Sequence, residues 1–115
     1  MKEKIRELLP EIEWIGDKEL QEKVVASYVD ALNTGGWQPE DMDKIPFTLL
    51  IPDCPFSYLT HVRGVTRIAK KAMDEFNALY TQPDGKFKMD NDLLVAGALL
   101  HDVGKLVEYE KTPDG

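Results

Sequence analysis

The 115-residue chain has little cysteine, little histidine and no long apolar run. Its single cysteine, Cys54, excludes an intramolecular disulfide and a zinc site built from cysteines. The longest apolar run, Leu93 to Leu100, is far shorter than the roughly 20 residues of a membrane helix, and the charged start MKEKIRELLP is unlike a secretory signal. A net charge of −7 disfavours nucleic-acid binding, because phosphates repel an acidic partner. We therefore expect a cytoplasmic protein that binds neither membrane nor nucleic acid.

Most of the sequence has the residue spacing of amphipathic helices. A short helix is predicted over residues 3–9, because Pro10 cannot continue a helix formed before it. Asp17 can cap a second helix from Lys18 to about Asn33. No segment alternates apolar and polar residues strongly enough to predict a sheet. The predicted fold class is therefore all-α, with N-terminal helices over residues 1–36.

Residues 37–56 form the least regular segment. They contain four prolines, Pro39, Pro46, Pro52 and Pro55. Each proline lacks an amide donor and restricts the residue before it, so a regular helix cannot cross this stretch. We expect an ordered, extended proline-rich loop, with at most one helical turn after Pro39. Cys54 lies in this loop and is expected to be a reduced, half-buried thiol.

A third helix, the best defined of the chain, is predicted from a cap at Ser57 to about Tyr80. Its apolar positions alternate steps of three and four, as in the buried stripe of an amphipathic helix. These positions are Val62, Val65, Ala69, Ala72, Phe76 and Leu79. At about 100° per residue, His61 projects from the edge of this stripe and should point toward the core.

A fourth helix is predicted after the turn signal in residues 83–85. Asp90 or Asn91 can cap it, and it then enters the run LLVAGALL. Because this run has no polar face, the helix is expected to lie in the core. The small residues Gly97 and Ala98 would let another helix approach closely.

The two histidines of the chain, together with Asp102, predict a metal site. Imidazole nitrogens and a carboxylate are ligands that Mn, Fe, Co, Ni and Zn accept. Gly104 is expected to end or loosen the fourth helix and so to leave His101 and Asp102 in its last turn, where unpaired carbonyls favour a cation. A carboxylate beside a buried apolar run also needs a cation or several donors to compensate it.

Each of these residues also has a structural interpretation. Taken alone, a histidine such as His61 is more often half-buried and bonded to a carbonyl than a ligand. Lys105 can pair with Asp102 in a metal-free version of the site, or it can hold a substrate phosphate as a point charge, which we favour slightly.

Three cations project from the opposite side of the third helix. We interpret Arg63, Arg67 and Lys70 as a solvated face, with Lys70 and Asp74 as an ordinary four-residue ion pair. A role of these cations in substrate binding is the less favoured alternative.

The segment from His61 to Lys105 resembles the HD superfamily of metal-dependent phosphohydrolases, whose signature is a histidine, a later His-Asp pair and a distant aspartate. THVRGVTRIA supplies the first histidine, and GALLHDVGK supplies the pair 40 residues later. The resemblance implies a single HD-domain-like helical bundle over residues 1–115, in which residues 57–115 form the HD-motif helices. It implies that His61, His101 and Asp102 bind a divalent metal ion (Mn, Fe, Co, Ni, Zn or Mg). It also implies a catalytic role for Asp102, which would bridge two metals or orient a water, and a phosphate contact for Lys105.

The last aspartate of the HD pattern has no clear counterpart, because only 13 residues follow Asp102. Asp114 is too close to the pair, Asp53 lies in the proline-rich loop, and Asp90 and Asp92 begin the same helix about 15 Å from its end. Three explanations stay open: the chain is the N-terminal part of a longer HD protein, another subunit supplies the ligand, or metal binding has been lost. We favour the first, and we expect a homodimer or a missing C-terminal segment to cover the open face.

The favoured function is a metal-dependent phosphohydrolase that acts on a small phosphorylated substrate, a nucleotide or another phosphoester. The alternative is a non-catalytic HD-like module that binds a nucleotide or a partner and regulates without hydrolysis. A third interpretation is a purely structural helical domain, in which His61 and Asp102 bond to each other or to Lys105.

Overall fold

The structure, a computed structural model, describes residues 1–110, and this part of the chain is built from helices. The α-helices are α1 (Lys2–Leu8), α2 (Lys18–Gly35), α3 (Tyr58–Tyr80), α4 (Asn91–Leu100) and α5 (Lys105–Glu108). Two 3-10 helices, Pro10–Trp14 and Pro39–Asp43, join them. The predicted all-α fold is confirmed. None of the described helices is long and apolar enough to cross a membrane.

The predicted helix caps are present. The Asp17 side chain accepts from the amides of Glu19 and Leu20 at the start of α2. Gly36 ends that helix with a left-handed φ of 76°, which glycine adopts without strain. Ser57 and Asp90 cap α3 and α4 in the same way as Asp17 caps α2.

One apolar core joins the N-terminal helices to α3, α4 and α5. Its fully buried members include Ile5, Leu9, Ile12, Ile15, Val24, Val25, Tyr28, Leu32, Val62, Val95, Leu99 and Leu106. Their side chains come from every α-helix, so the elements before residue 58 and those after it stabilise each other.

The buried face of α3 differs from the predicted stripe. Val62 is buried as expected, but Leu79 is 71% exposed, and the buried positions of the central and C-terminal turns are Thr66 and Met73. The cause is the length of the partner helix. The antiparallel α4 has ten residues, whereas α3 has 23. Toward the end of α3, the Asn77 side chain still bonds the amide and the carbonyl of Met89, just before α4 begins. Beyond Asn77, α3 extends past the segment that packs against it, so Leu79 stays exposed.

Helix α4 is buried on one side only, which corrects the expectation of a fully buried core helix. Leu93 is 71% exposed, and a Cβ on Gly97 would meet nothing within 4 Å among the described residues. The close approach lies instead at Gly35, where a Cβ would fall 2.0 Å from the backbone oxygen of Leu106. The small residues that permit tight packing are therefore not those predicted.

A buried carboxylate ties α3 to the N-terminal region. Glu11 is 1% exposed and accepts hydrogen bonds from Arg63 Nε at 3.0 and 3.1 Å. Arg67 approaches the same carboxylate at 3.5 Å, and its guanidinium lies over the ring of Trp14. The interpretation of Arg63 and Arg67 as a merely solvated face is therefore wrong. Lys70, in contrast, forms the expected exposed pair with Asp74, at 2.9 Å.

The proline-rich segment is a loop closed at its base by a short antiparallel pairing. Pro46 and Ser57 form a bridge, the Phe47 amide donates to the Phe56 carbonyl at 3.1 Å, and the Tyr58 amide donates to the Ile45 carbonyl at 2.7 Å. Cys54 lies in this loop as a half-buried free thiol, as expected. The pairing fixes where the loop enters α3.

Candidate metal centre

The antiparallel packing of α3 and α4 brings the first turn of α3 beside the end of α4. His61 lies in that first turn, and its amide bonds the Ser57 carbonyl at 3.0 Å. His61 Nε2 lies 3.1 Å from Asp102 Oδ2 and 3.3 Å from His101 Nε2. His101 Nε2 lies 3.1 Å from the same Asp102 oxygen. The three side chains that the sequence predicted as ligands therefore meet, and we call them the His-His-Asp triad.

The start of α3 is held by the residues around its cap. The Ser57 hydroxyl accepts from the Thr60 amide at 3.0 Å and donates to Asp43 Oδ1 at 2.8 Å. Asp43 ends the 3-10 helix Pro39–Asp43. The position of His61 along α3 is therefore set by a cap that is itself anchored to the preceding segment.

The end of α4 places the His-Asp pair. The α-helix ends at Leu100, before Gly104, and the next residues continue with bonds to the third preceding carbonyl, including Lys105 to Asp102. The helix loosens before Lys105 as predicted, but the change begins after Leu100 and therefore before Gly104, to which it was attributed. The tighter turn lets the adjacent His101 and Asp102 reach one point.

A buried tyrosine pair satisfies the free carbonyl at this helix end. The Tyr28 hydroxyl donates to the Leu99 carbonyl and lies 3.0 Å from the Tyr58 hydroxyl. Burial raises the pKa of Tyr58 to about 12, with a further rise from the charge of Asp102. Burial also raises the pKa of Tyr28, and the neighbouring Tyr58 adds to this. Both hydroxyls stay protonated at neutral pH and can keep donating.

The tautomer of His101 is fixed by a backbone carbonyl. Its Nδ1 lies 2.6 Å from the Ala98 oxygen, which can only accept, so Nδ1 carries the proton. In the neutral ring, Nε2 then presents a lone pair to the triad. A hydrogen bond from the second ring nitrogen to a carbonyl is the usual arrangement of a metal-bound histidine.

The ring of His61 is held differently. The Phe47 ring stacks on it, with centroids 4.8 Å apart and planes inclined by 16°. Among residues 1–110, His61 Nδ1 has no hydrogen-bond partner. Unlike His101, His61 therefore has no backbone bond to orient its ring, which is held by the Phe47 stack on its face and by the contacts of its Nε2 with Asp102 and His101.

The spacing of the three atoms fits a divalent metal. At bond lengths of about 2.1 Å, neighbouring ligand atoms lie about 3.0 Å apart around an octahedral ion and about 3.4 Å apart around a tetrahedral one. The separations of 3.1, 3.1 and 3.3 Å fall between these values. The side chains of His61, His101 and Asp102 are 27, 33 and 22% exposed, so the triad is accessible from solvent.

The electron pairs of the triad also call for a cation. The carboxylate of Asp102 and the lone pair on His101 Nε2 face each other at 3.1 Å, and both are acceptors. A single proton on His61 Nε2 can serve only one of them well, whereas a metal ion binds all three atoms at once. The donor set therefore fits a metal better than it fits a hydrogen-bonded cluster.

Lys105 does not pair with Asp102. Its ammonium donates to the Phe47 carbonyl, so the structural ion pair considered from the sequence is not formed. The predicted phosphate contact stays a prediction.

The aspartates that were considered for the fourth ligand and that the structure describes, Asp53, Asp90 and Asp92, do not join the triad. Within residues 1–110, the cluster of metal-binding side chains at this site contains only the triad. The Asp92 carboxylate accepts from the amides of Gly16 and Asp17, and these bonds, the first above all, lower its pKa. Asp90 caps α4, and Asp53 lies within the proline-rich loop. Asp114 lies outside the described residues.

Two parts of the site were missed from the sequence. Phe47 stands in an irregular loop, where nothing local indicates that its ring reaches His61. Tyr28 lies within the second predicted helix, but its hydroxyl bond to the end of α4 joins residues 71 positions apart. Only the three-dimensional packing reveals either contact.

Comparison with protein families finds one match, in which residues 58–114 match the HD domain. Neither the curated proteins nor the solved structures contain a significant match. The matched segment begins at the first residue of α3 and includes all three residues of the triad.

Proposed function

Residues 58–114 belong to the HD domain family, and on that premise we propose that this protein is a phosphohydrolase whose substrate is a nucleotide or another phosphoester. An HD domain suggests a metal-dependent phosphohydrolase, and HD domains generally bind divalent metals. The proposal assigns the metal to His61, His101 and Asp102. The finer assignment, to a phosphoester substrate, rests on the site itself.

The convergence of His61 Nε2, His101 Nε2 and Asp102 Oδ2 within 3.3 Å carries the proposal. Three protein ligands are the number typical of catalytic metal sites, because one or more positions stay open for water and substrate. Structural sites usually close the shell with four protein ligands. The partial exposure of the triad is consistent with an open position.

The chemistry divides between the ion and the chain. A divalent ion bound here would polarise phosphoryl oxygens and bring a bound water closer to ionisation. The two imidazoles hold their Nε2 atoms toward the ion, and the carbonyl of Ala98 keeps His101 in the required tautomer. Asp102 supplies the negative charge of the triad, and its second carboxylate oxygen would accept a proton from a bound water.

Metal analysis and phosphatase assays test this proposal. Protein purified without chelator is analysed for metal and then assayed on nucleotides and a generic phosphomonoester with Mn, Co, Ni and Mg. We expect His101→Ala and Asp102→Ala to lose bound metal and to lower turnover by about 100-fold or more while folding is retained. Asp30→Ala, an exposed carboxylate of α2, is the matched control and should behave as the wild type.

The outcomes separate the candidate functions. Metal that is bound without turnover on any phosphoester would favour a regulatory module over an enzyme. Protein that takes up no metal would contradict the proposal, and more so if the triad variants lose folding stability instead, since this is expected of a structural cluster.

A further inference from the structure

We infer that Lys105 is a positioning residue of the metal centre, which sets the orientation of the His61 ring through Phe47. The inference deepens the proposed function, because it assumes that His61 is a metal ligand. It assigns Lys105 a role different from the phosphate contact predicted from the sequence.

The argument begins with a difference between the two imidazoles. The ring of His101 is oriented by its own hydrogen bond to the Ala98 carbonyl. The ring of His61 has no such backbone bond: Phe47 stacks on its face, at 4.8 Å between centroids, while Asp102 and His101 contact only its Nε2 edge. A ring stack leaves rotation and sliding open unless the stacking partner is itself fixed. The orientation of His61 Nε2 therefore depends on what holds Phe47.

Phe47 is held from two sides. Its amide donates to the Phe56 carbonyl within the proline-rich loop, so this bond only closes the loop on itself. Its carbonyl accepts from the ammonium of Lys105, the first residue of α5, which lies outside the proline-rich loop. The Tyr109 hydroxyl reaches the same carbonyl at 3.4 Å, longer than a usual O–H···O bond, so its contribution is secondary.

The lysine is well suited to this role. It follows Asp102 by three residues, and its amide bonds the Asp102 carbonyl at 3.0 Å, so the turn that places Asp102 also places Lys105. A hydrogen bond from an ammonium to a carbonyl is charge-assisted and stronger than one between neutral groups. A series of contacts therefore links two metal ligands through the proline-rich loop, without the metal. It runs from Asp102 through Lys105 and Phe47 to His61.

Proton NMR of the metal-free protein tests directly whether Lys105 positions the His61 ring. The chain has only two histidines, so their ring signals can be assigned with His101→Ala. A proton above an aromatic face is shifted upfield, so Phe47→Leu should move the His61 signals downfield. We expect Lys105→Met to move the same signals in the same direction by at least half as much, and the signals of His101 by less. Lys71→Met, an exposed lysine of α3, should move neither.

Conservative variants separate positioning from general damage. Lys105→Arg keeps the donor and Phe47→Tyr keeps the ring, so both should give His61 signals close to those of the wild type. The double variant of Phe47→Leu and Lys105→Met should match Phe47→Leu alone, because the two residues act in series. Should Lys105→Met not fold, Lys105→Gln, whose side chain stops short of the carbonyl, replaces it in this comparison.

Calorimetry with Ni²⁺ and Mn²⁺ measures the consequence for the metal. Loss of a group that orients a metal ligand typically lowers affinity about 10-fold to 100-fold, and we expect about 10-fold for Lys105→Met and for Phe47→Leu. The double variant should bind no more weakly than Phe47→Leu alone. If the wild type binds no metal, the proposed function fails, while the ring signals still decide whether Lys105 positions His61.

Two results would overturn the inference. One is a Lys105→Met protein whose His61 signals stay at the wild-type position while those of Phe47→Leu move. The other is unchanged metal affinity with unchanged ring signals and a raised KM for phosphoesters, which would show that Lys105 contacts the substrate.

Discussion

Glu11 shows how a single charged residue can hold two parts of the fold together. Its carboxylate is 1% exposed and is bound by Arg63 and Arg67 of α3. Both arginines keep part of their surface in water, so either could return to solvent if the carboxylate were removed. Removing the Glu11 carboxylate would therefore cost the strong hydrogen bonds that it accepts, but it would not leave two buried arginine charges without a partner.

We predict that Glu11→Ala lowers the free energy of unfolding by about 1–3 kcal/mol, because it removes charge-assisted bonds between α3 and the 3-10 helix Pro10–Trp14. Urea denaturation at neutral pH measures the change. Glu75→Ala, an exposed carboxylate of α3, is the control and should change stability by less than about 0.5 kcal/mol. Equal effects of the two variants would contradict the assigned role of Glu11.

The tyrosine pair predicts a loss of stability at alkaline pH. In the unfolded chain tyrosine has a pKa of about 10, whereas burial raises that of Tyr58 to about 12 and also raises that of Tyr28. Above pH 10 the unfolded state therefore binds fewer protons than the folded state, so stability is full below pH 10 and declines as the pH rises toward 12. Denaturation at several pH values should show a shallower decline for Tyr58→Phe than for the wild type.

The matched control for this pH dependence is Tyr80→Phe, because Tyr80 is 56% exposed at the end of α3. Its pH profile should follow the wild type. At neutral pH, Tyr58→Phe should also lower the free energy of unfolding by about 0.5–1.5 kcal/mol, through the lost bond to Tyr28. A wild-type profile for Tyr58→Phe would show that the pair does not titrate as a buried unit.

Residues of the site differ in how far the sequence could predict them. His61 and His101 were identified because the chain has only two histidines, and Asp102 because it directly follows His101 in the run ALLHDVGK. Phe47 and Glu11 were not, because a phenylalanine in an irregular loop and a glutamate in a charged segment look ordinary until distant elements pack on them.

The helices themselves were largely predictable, because caps and prolines act locally. Asp17, Ser57 and Asp90 begin helices where their side chains predict it. The buried faces were less predictable, because burial depends on the length and position of the partner helix. The exposed Leu93 and Leu79 are apolar positions whose periodicity is helical but which no described element covers.

The contact between α2 and α5 gives a prediction for glycine substitutions. Gly35→Ala would place a Cβ 2.0 Å from the Leu106 backbone oxygen, so the elements must separate, and we expect a loss of about 1–3 kcal/mol. Gly64→Ala is the matched control, because its Cβ meets nothing within 4 Å among the described residues. It should stabilise α3 by about 0.5–1 kcal/mol. Thermal denaturation distinguishes the opposite signs.

For the whole molecule, metal binding and stability should be linked. A metal that binds only the folded chain stabilises it by about 2.7 kcal/mol at 100 times its Kd, which corresponds to a rise in Tm of about 10 °C. We predict this rise for Ni²⁺ or Mn²⁺ in the wild type and its absence in His101→Ala. Calorimetric scans with and without metal measure it, and an equal rise in both proteins would place the metal elsewhere.

The apolar surface left on α3 and α4 bears on assembly. Ile68 on α3 and Leu93 on α4 are each 71% exposed. We propose that a second copy of the chain, one of the two alternatives considered from the sequence, covers this surface. Sedimentation should then show a dimer that Ile68→Glu dissociates, whereas a monomer at tens of micromolar would count against it.

The single core has a consequence for the boundaries of the HD segment. The family match starts at residue 58, yet most of the core side chains, from Ile5 to Ile45, precede it. The segment that matches the family and the stretch of chain that builds the core therefore have different boundaries. A peptide cut at the start of α3 would carry the whole triad and still lack the side chains against which α3 and α4 pack, so the triad cannot be transplanted without the N-terminal half of the chain.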